Sequence, residues 1–457
     1  MTATATATES LQTAIDKAGG PVDLLRRSAA GQFAFPGIPA EFTNWIDEQL
    51  AARTGCLLAE QSYHMTELHL RGSGVAEFLM RLAVNDLRAF PTRRAKQIVL
   101  AGHDGNLVSD AIVFREEEDF FRIVGAPFAS DWVQYNAEQE EVPFDVVRDD
   151  NWVVRQGKGP RDVFRIQLGG ASAHEVLLEA SDGTLPEIRF FRIGEFTIAG
   201  HTVRALGHGM SDASGFEVYG PWDVQQAVRE RIEEVGSRYG LRKGGSLNYS
   251  ANSLETGWMG IPVPAIYHSE EMRPYREWLP KFSLEGLASL GGSLVSDNIA
   301  EYYMDPVELG YKRLIDFDHE FVGRSALQEK VANQTRTKVT LIWNEDDVTD
   351  VIRSSLFPAG KARAKFLRLP AAYYATFQAD AVQAGHRRIG ISQIAGYQAT
   401  AEAVMSLALV DIEHSEPGTE VTLLWGEPDS PRITVETHEV REIRATVAPS
   451  PYHKVHT

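Results

Sequence analysis

The sequence predicts an α+β fold that ends in a small β-barrel, and three observations predict it. First, QIVLAGHDGNLVSDAIVFREEEDFFRIVG (97–125) reads as two or three short strands around Asp104-Gly105-Asn106 and a charged turn. That is the signal of an antiparallel meander rather than a doubly wound sheet. Second, residues 151–168 and 187–206 are again strand-rich, with one small-residue helix, AxxHEVLLEA (171–180), between them. Third, the end of the chain turns to short, evenly separated strands with Gly and Pro turns. These are TKVTLIW, GHRRIGISQIAGY, AVMSLALVDI, TEVTLLW and EIRATV.

Taken in order, residues 10–27 look helical, GQFAFPGIPAEF breaks the pattern around Phe35 and Pro36, and NWIDEQLAAR resumes it. CLLAEQSYHMTELHLRG alternates apolar and polar positions and reads as one strand closed by a Gly-Ser-Gly turn. Helices are predicted at about Val75–Val84, at residues 130–139, and over QQAVRERIEEVGSRYG, whose apolar positions 227, 232, 235 and 239 fall near helical spacing. FVGRSALQ (321–328) carries helix-start chemistry and leads into a boundary helix. The expected division is 1–334 and 335–457. No 20-to-50-residue repeat and no low-complexity linker interrupts it.

Composition narrows the function classes. With 63 acidic and 45 basic residues the formal charge is -18, which repels polyanions and argues against nucleic acid or an anionic membrane as a partner. Hydrophobic residues make up 43%, enough for sizeable cores. The one cysteine, Cys56, forms no intramolecular disulfide, and a reducing cytoplasm is expected. MTATATATES reads as a frayed tail without the charge and apolar core of a secretory signal, and no apolar run reaches the roughly 20 residues that span a bilayer.

No HExxH, paired-His or Cys/His spacing is present, so no metal is expected. GHGMSDASGF and LASLGGSLVSDN are glycine-rich but lack phosphate-cradling spacing and read as turns, and no GxSxG elbow occurs. Three other segments concentrate chemistry. EQSYHMTEL gathers Gln61, Tyr63 and His64, either satisfied polar groups at a strand end or a proton-handling cluster. SGFEVYGPWD sets Glu217 between Phe216 and Val218, facing solvent or buried with a ligand. LNYSANSLETGW combines Tyr249, Asn252, Glu255 and Trp258, either an irregular hydrogen-bonded loop or a site for a planar polar heterocycle.

In their order along the chain, GNLVSDAIVFR, SGFEVYGP, NSLETGW and ELGYKRLIDFDHEFVGRSAL resemble the glycine cleavage T-protein (aminomethyltransferase) family from about residue 20 to 447. QSYHMT, FPGIPAEFTNW and WNEDDV resemble its tetrahydrofolate-dependent aromatic O-demethylase branch. The resemblance implies a three-lobed folate-binding α+β body with the barrel packed beside it. It implies that Glu217 grips the aminopyrimidine edge of the pterin, that Phe190 and Trp258 flank its rings or aminobenzoyl arm, and that Val124 and Tyr249 line the same opening. Asp110 falls at the family's aspartate position.

An aromatic methyl ether, of methoxybenzoate type, is the implied small-molecule substrate, with Gln61, Tyr63, His64 and Phe35 around it. Tyr249 is the first choice for the acid that protonates the leaving oxygen and His64 the second, since an ordinary imidazole can either orient or protonate near pH 7. No obligatory protein partner is expected. Two departures from the branch, Phe35 in place of a tyrosine and Ala126 in place of an arginine, leave the usual phenolic carboxylate substrate open. Aminomethyl transfer, demethylation of an amine or sulfonium, and non-catalytic folate binding are the alternatives. The cysteine-containing KGCYxGQE-type segment of the iron–sulfur-maturation relatives is replaced here by DHEFVGRSALQ.

Overall fold

The structure is a computed structural model that describes residues 9–33, 35, 37–151, 160–209 and 215–452. Residues 1–8 of the N-terminal tail, Pro36, residues 152–159 of the 151–168 segment and residues 210–214 of GHGMSDASGF lie outside the described residues. Two antiparallel sheets form the body. One has five strands in the order Arg94–Ala101, Leu107–Glu117, Phe120–Gly125, Thr66–Arg71 and Asp145–Asp149. It contains the predicted meander. The other has six, in the order Arg242–Gly244, Leu57–Glu60, Val163–Gly169, Gly215–Pro221, His201–Gly207 and Ile193–Ile198, with its first pair parallel.

The predicted single strand over 56–72 is therefore two strands in two different sheets, Leu57–Glu60 and Thr66–Arg71, joined by a turn at 61–65. Every residue of Leu57–Glu60 is buried, and in Thr66–Arg71 only His69 and Arg71 reach solvent, so no change of polarity in the sequence marks the change of sheet. Buried Arg161 pins the turn. Its guanidinium donates to the carbonyl oxygens of Ser62 and Met65, the latter at 2.6 Å, and to Asp149 Oδ2 at 3.2 Å.

The predicted helices are present, with 10–27 divided into Leu11–Ala18 and Pro21–Arg27 by a left-handed Gly19 at φ 92°. The end of the chain is a closed barrel of six strands: Arg336–Trp343, Ala403–Asp411, Arg387–Gln398, Asp380–Ala384, Glu420–Trp425 and Arg441–Ala448. Asp380–Ala384 is the strand missing from the sequence-based prediction. It is short, opens on a buried aspartate, and runs directly into the following hairpin. The long strand Arg387–Gln398 packs on the helix Ser246–Thr256, where Gln398 Nε2 donates to Ala251 O at 2.7 Å. Among the described residues no helix is long and apolar enough to cross a membrane, and no group of three or more His, Cys, Asp or Glu could hold a metal ion.

Candidate active site

A cavity of about 480 Å³ is lined by residues from both sheets, the helix Ser246–Thr256 and the barrel, a volume in the range of small-molecule sites. Residues 247–258, for which the sequence allows a loop or a site, supply a helical wall. Tyr249, Asn252, Ser253 and Thr256 line the cavity at i, i+3, i+4 and i+7, one face of the helix, and Glu255 falls off it. Gly257 ends the helix at φ 68°, and Trp258 follows on the cavity rim. A Cβ on Gly257 would come within 2.6 Å of Ser450 Oγ, so the left-handed turn is also what lets the end of the barrel close against the helix.

The turn at 61–65 faces this wall. His64 Nε2 lies 2.9 Å from Tyr249 Oη, both residues are buried, and Gln61 also hydrogen-bonds to Tyr249. Phe35 packs on the pair, its ring centroid 4.7 Å from that of Tyr249 and 5.0 Å from that of His64. Burial, with the positive charge of Arg161 nearby, pushes the His64 imidazole down to about 3. Of the two roles open to an ordinary imidazole near pH 7, burial thus favours the neutral form that orients over the cation that protonates. Burial pushes the Tyr249 hydroxyl well above the usual tyrosine value, so it stays a protonated donor. His64 Nδ1 is buried and finds no hydrogen-bond partner among the described residues.

Tyr63 is not brought to the cavity wall. At the tip of the turn its ring points away and packs edge-on against Trp222 at 6.1 Å, because a turn fans successive side chains where a strand would alternate them. The substrate contact predicted for it has no support in this geometry.

Glu217 is buried on the strand Gly215–Pro221 and lines the cavity. Its partner is Arg165, fully enclosed, whose guanidinium bonds Glu217 Oε1 and donates to Glu67 Oε1 at 2.9 Å. Burial opposes the Arg165 charge, but Glu67 and Glu217 outweigh it and push the group up. The rings of Phe114 and Tyr219 lie 4.8 and 4.6 Å from the guanidinium. Asp110, from the strand Leu107–Glu117, is buried with Oδ2 accepting from Gln97 Nε2 at 2.6 Å, Tyr311 Oη at 2.6 Å and Trp258 Nε1 at 2.9 Å. Burial raises its carboxyl against the pull of those donors.

Val124 lines the cavity wall on the strand Phe120–Gly125. Phe190, 69% exposed, and Trp258, 39% exposed, leave aromatic faces free at the rim. The sequence reading missed Arg165, Gln97, Tyr311 and the barrel residues of the wall. An arginine inside the apolar run VFRIQLG is a usable signal for a buried ion pair, whereas nothing local marks Gln97.

A family model for the GCVT N-terminal domain matches residues 28–262. The syringate O-demethylase of Sphingobium sp. is 38% identical to this chain over 450 residues, covering 98% of the chain and 96% of that protein. The chain belongs to the GCVT family. Another family relative, the sesamin methylene transferase of Sinomonas sp., is 29% identical over 440 residues, 93% of the chain and 92% of that protein. In three dimensions the chain matches the glycine cleavage system aminomethyltransferase T of Bartonella henselae with a TM-score of 0.61 at 18% identity, over 94% of this chain and 96% of that one. This likeness carries the fold, including the barrel packed beside the sheets.

Two of the GCVT-family segments touch each other away from the chemistry. Gly105, at φ 74°, sits where a Cβ would come within 2.8 Å of Leu327 N, and Gly323, at φ 80°, lies against Gly102 O. The glycine turn before Asp110 and the start of the helix Arg324–Ala332 are thus fitted backbone to backbone, which fixes the strand that carries Asp110.

Proposed function

We propose that this protein is a tetrahydrofolate-dependent O-demethylase, which moves the methyl group of an aromatic methyl ether to N5 of tetrahydrofolate and releases a phenol. The observation that carries this reading is a single cavity with a buried carboxylate, Glu217, and a Tyr249–His64 pair walled by Phe35. The 38% identity to a syringate O-demethylase over nearly the whole chain supports it. The residues present fit a reduced pterin. Glu217 offers a carboxylate to a donor-rich aminopyrimidine edge, Phe190 and Trp258 offer flat faces, and His208 Nδ1, without a partner among the described residues, offers a further polar contact.

Tetrahydrofolate supplies, when bound, the amine that accepts the methyl group. The chain's own residues align and protonate. Holding two reactants in one cavity contributes about 7 to 11 kcal/mol through proximity. Tyr249 donates its hydroxyl proton toward the departing ether oxygen, a contribution of about 3 kcal/mol by analogy with oxyanion donors. The Gln61 amide and the His64 ring, both bonded to Tyr249, orient that hydroxyl, and the proton that the accepting amine would release on methylation restores it. Phe35 packs on the donor pair and excludes water from it. Asp110 keeps Trp258 at the rim through the indole N–H.

The same cavity favours a second reading, methylene transfer, through Asp110, a buried carboxylate placed to steady a cationic one-carbon unit. Incubation with tetrahydrofolate and a panel of methoxyarenes and methylenedioxy arenes decides between them. 5-Methyltetrahydrofolate with a phenol supports the first, 5,10-methylenetetrahydrofolate from a methylenedioxy arene supports the second, and neither product would sink both. A cytoplasmic setting and action without an obligatory protein partner belong to the same proposal.

A further inference from the structure

The barrel strand Arg387–Gln398 pairs Ser392 with Ala408 and Ala395 with Ser406, and its register shifts between those pairs. Gln393 and Ile394 therefore stand opposite the single residue Leu407, which is a β-bulge. In a regular strand these neighbours would face opposite sides, and one would enter the barrel core. The bulge instead presents both to the cavity beside the Tyr249 helix. Ser392 and Ala395 keep the inward positions on either side. Ser392 Oγ donates to Ser406 Oγ at 2.8 Å, and Ala395 packs in the barrel core.

Gln393 is 3% exposed, and its amide nitrogen finds no acceptor among the described residues. A buried donor left unsatisfied costs about 1 to 3 kcal/mol. The side chain is thus aimed into a ligand cavity with an unused N–H. We propose that Gln393 is a substrate-specificity residue, which donates its amide N–H to an oxygen substituent of the aromatic ring other than the ether being cleaved. The barrel then forms part of the substrate-binding wall as well as bracing the helix that carries Tyr249. This assignment rests on the demethylase reading above.

The test compares the full-length protein with Gln393→Leu and Gln393→Glu. Tetrahydrofolate is the acceptor in each case, and the ethers are 4-hydroxy-3-methoxybenzaldehyde, which carries further oxygens, and methoxybenzene, which carries none. Wild type prefers the first in kcat/KM. In Gln393→Leu that preference falls about tenfold, mainly through KM, while kcat and the affinity for tetrahydrofolate stay within about threefold. Gln393→Glu keeps the shape and a polar end but loses the donor. It shows the same loss of preference and keeps the assignment testable if the leucine variant does not fold. Equal losses on both ethers, or no loss on either, would overturn the assignment. Wild type that binds tetrahydrofolate but demethylates neither ether would sink the demethylase reading itself, an outcome visible before any variant is compared.

Discussion

Tyr249 Oη and His64 Nε2 lie 2.9 Å apart although 185 residues separate them in the chain. The helix Ser246–Thr256 brings one and a turn between two sheets brings the other. Burial holds both neutral, so the pair enters the reaction with its protons in place and with no ion to desolvate.

Tyr249→Phe is expected to lower single-turnover methyl transfer at least about tenfold and to leave tetrahydrofolate affinity within about threefold, because a leaving-group donor acts chiefly in the transition state. Rapid quench and calorimetry measure the two. Unchanged turnover would remove Tyr249 from that role.

Glu217→Gln keeps the shape and deletes the charge. A hydrogen bond to a charged group is worth about 1.5 to 3 kcal/mol, so tetrahydrofolate should bind about tenfold to a hundredfold more weakly. Arg165 keeps Glu67 as its partner, and the fold should survive. An unaltered Kd in calorimetry would show that the pterin does not use this carboxylate.

His64 titrates at about 3 in the folded protein and near 6.5 in an unfolded chain. As pH falls below about 6.5 the unfolded state takes up the proton first, so His64 costs stability progressively between pH 6.5 and 3. His64→Asn should flatten this acid limb. Urea midpoints of wild type and variant at pH 7 and pH 4.5 measure it, and parallel losses in both would contradict the assignment. Wild-type turnover should likewise show no inflection from His64 near pH 6.5.

Gly105→Ala places a Cβ at φ 74° and 2.8 Å from Leu327 N. The folded protein should lose more than about 1 kcal/mol, seen as a lower thermal midpoint, while tetrahydrofolate affinity per folded molecule is retained. A midpoint equal to wild type would mean that the two family segments are not held by this contact.

No lysine or arginine lines the cavity among the described residues, and Ala126 stands where related demethylases are expected to carry arginine. Among the described residues a substrate carboxylate therefore meets amides and hydroxyls rather than a cation. The kcat/KM values for 4-hydroxy-3-methoxybenzoate and the matching benzaldehyde should lie within about tenfold of each other. A larger preference for the acid would require a cation at the substrate.

By itself the sequence determined the meander, the barrel and the helices, since each is written as local periodicity punctuated by Gly and Pro, which a strand or helix expresses wherever it packs. It also marked Gln61, His64, Glu217, Tyr249 and Trp258, polar or flat side chains set among apolar ones, all of which line one cavity. Tertiary structure alone decided the rest. Whether the segment 56–72 was one strand or two, which way Tyr63 pointed, and that a bulge would turn Gln393 toward the cavity all depend on pairing with distant strands. The neutrality of His64 depends on burial beneath Phe35 and Tyr249 and on Arg161 behind it, and desolvation is a property of the assembled interior that no local run of residues encodes.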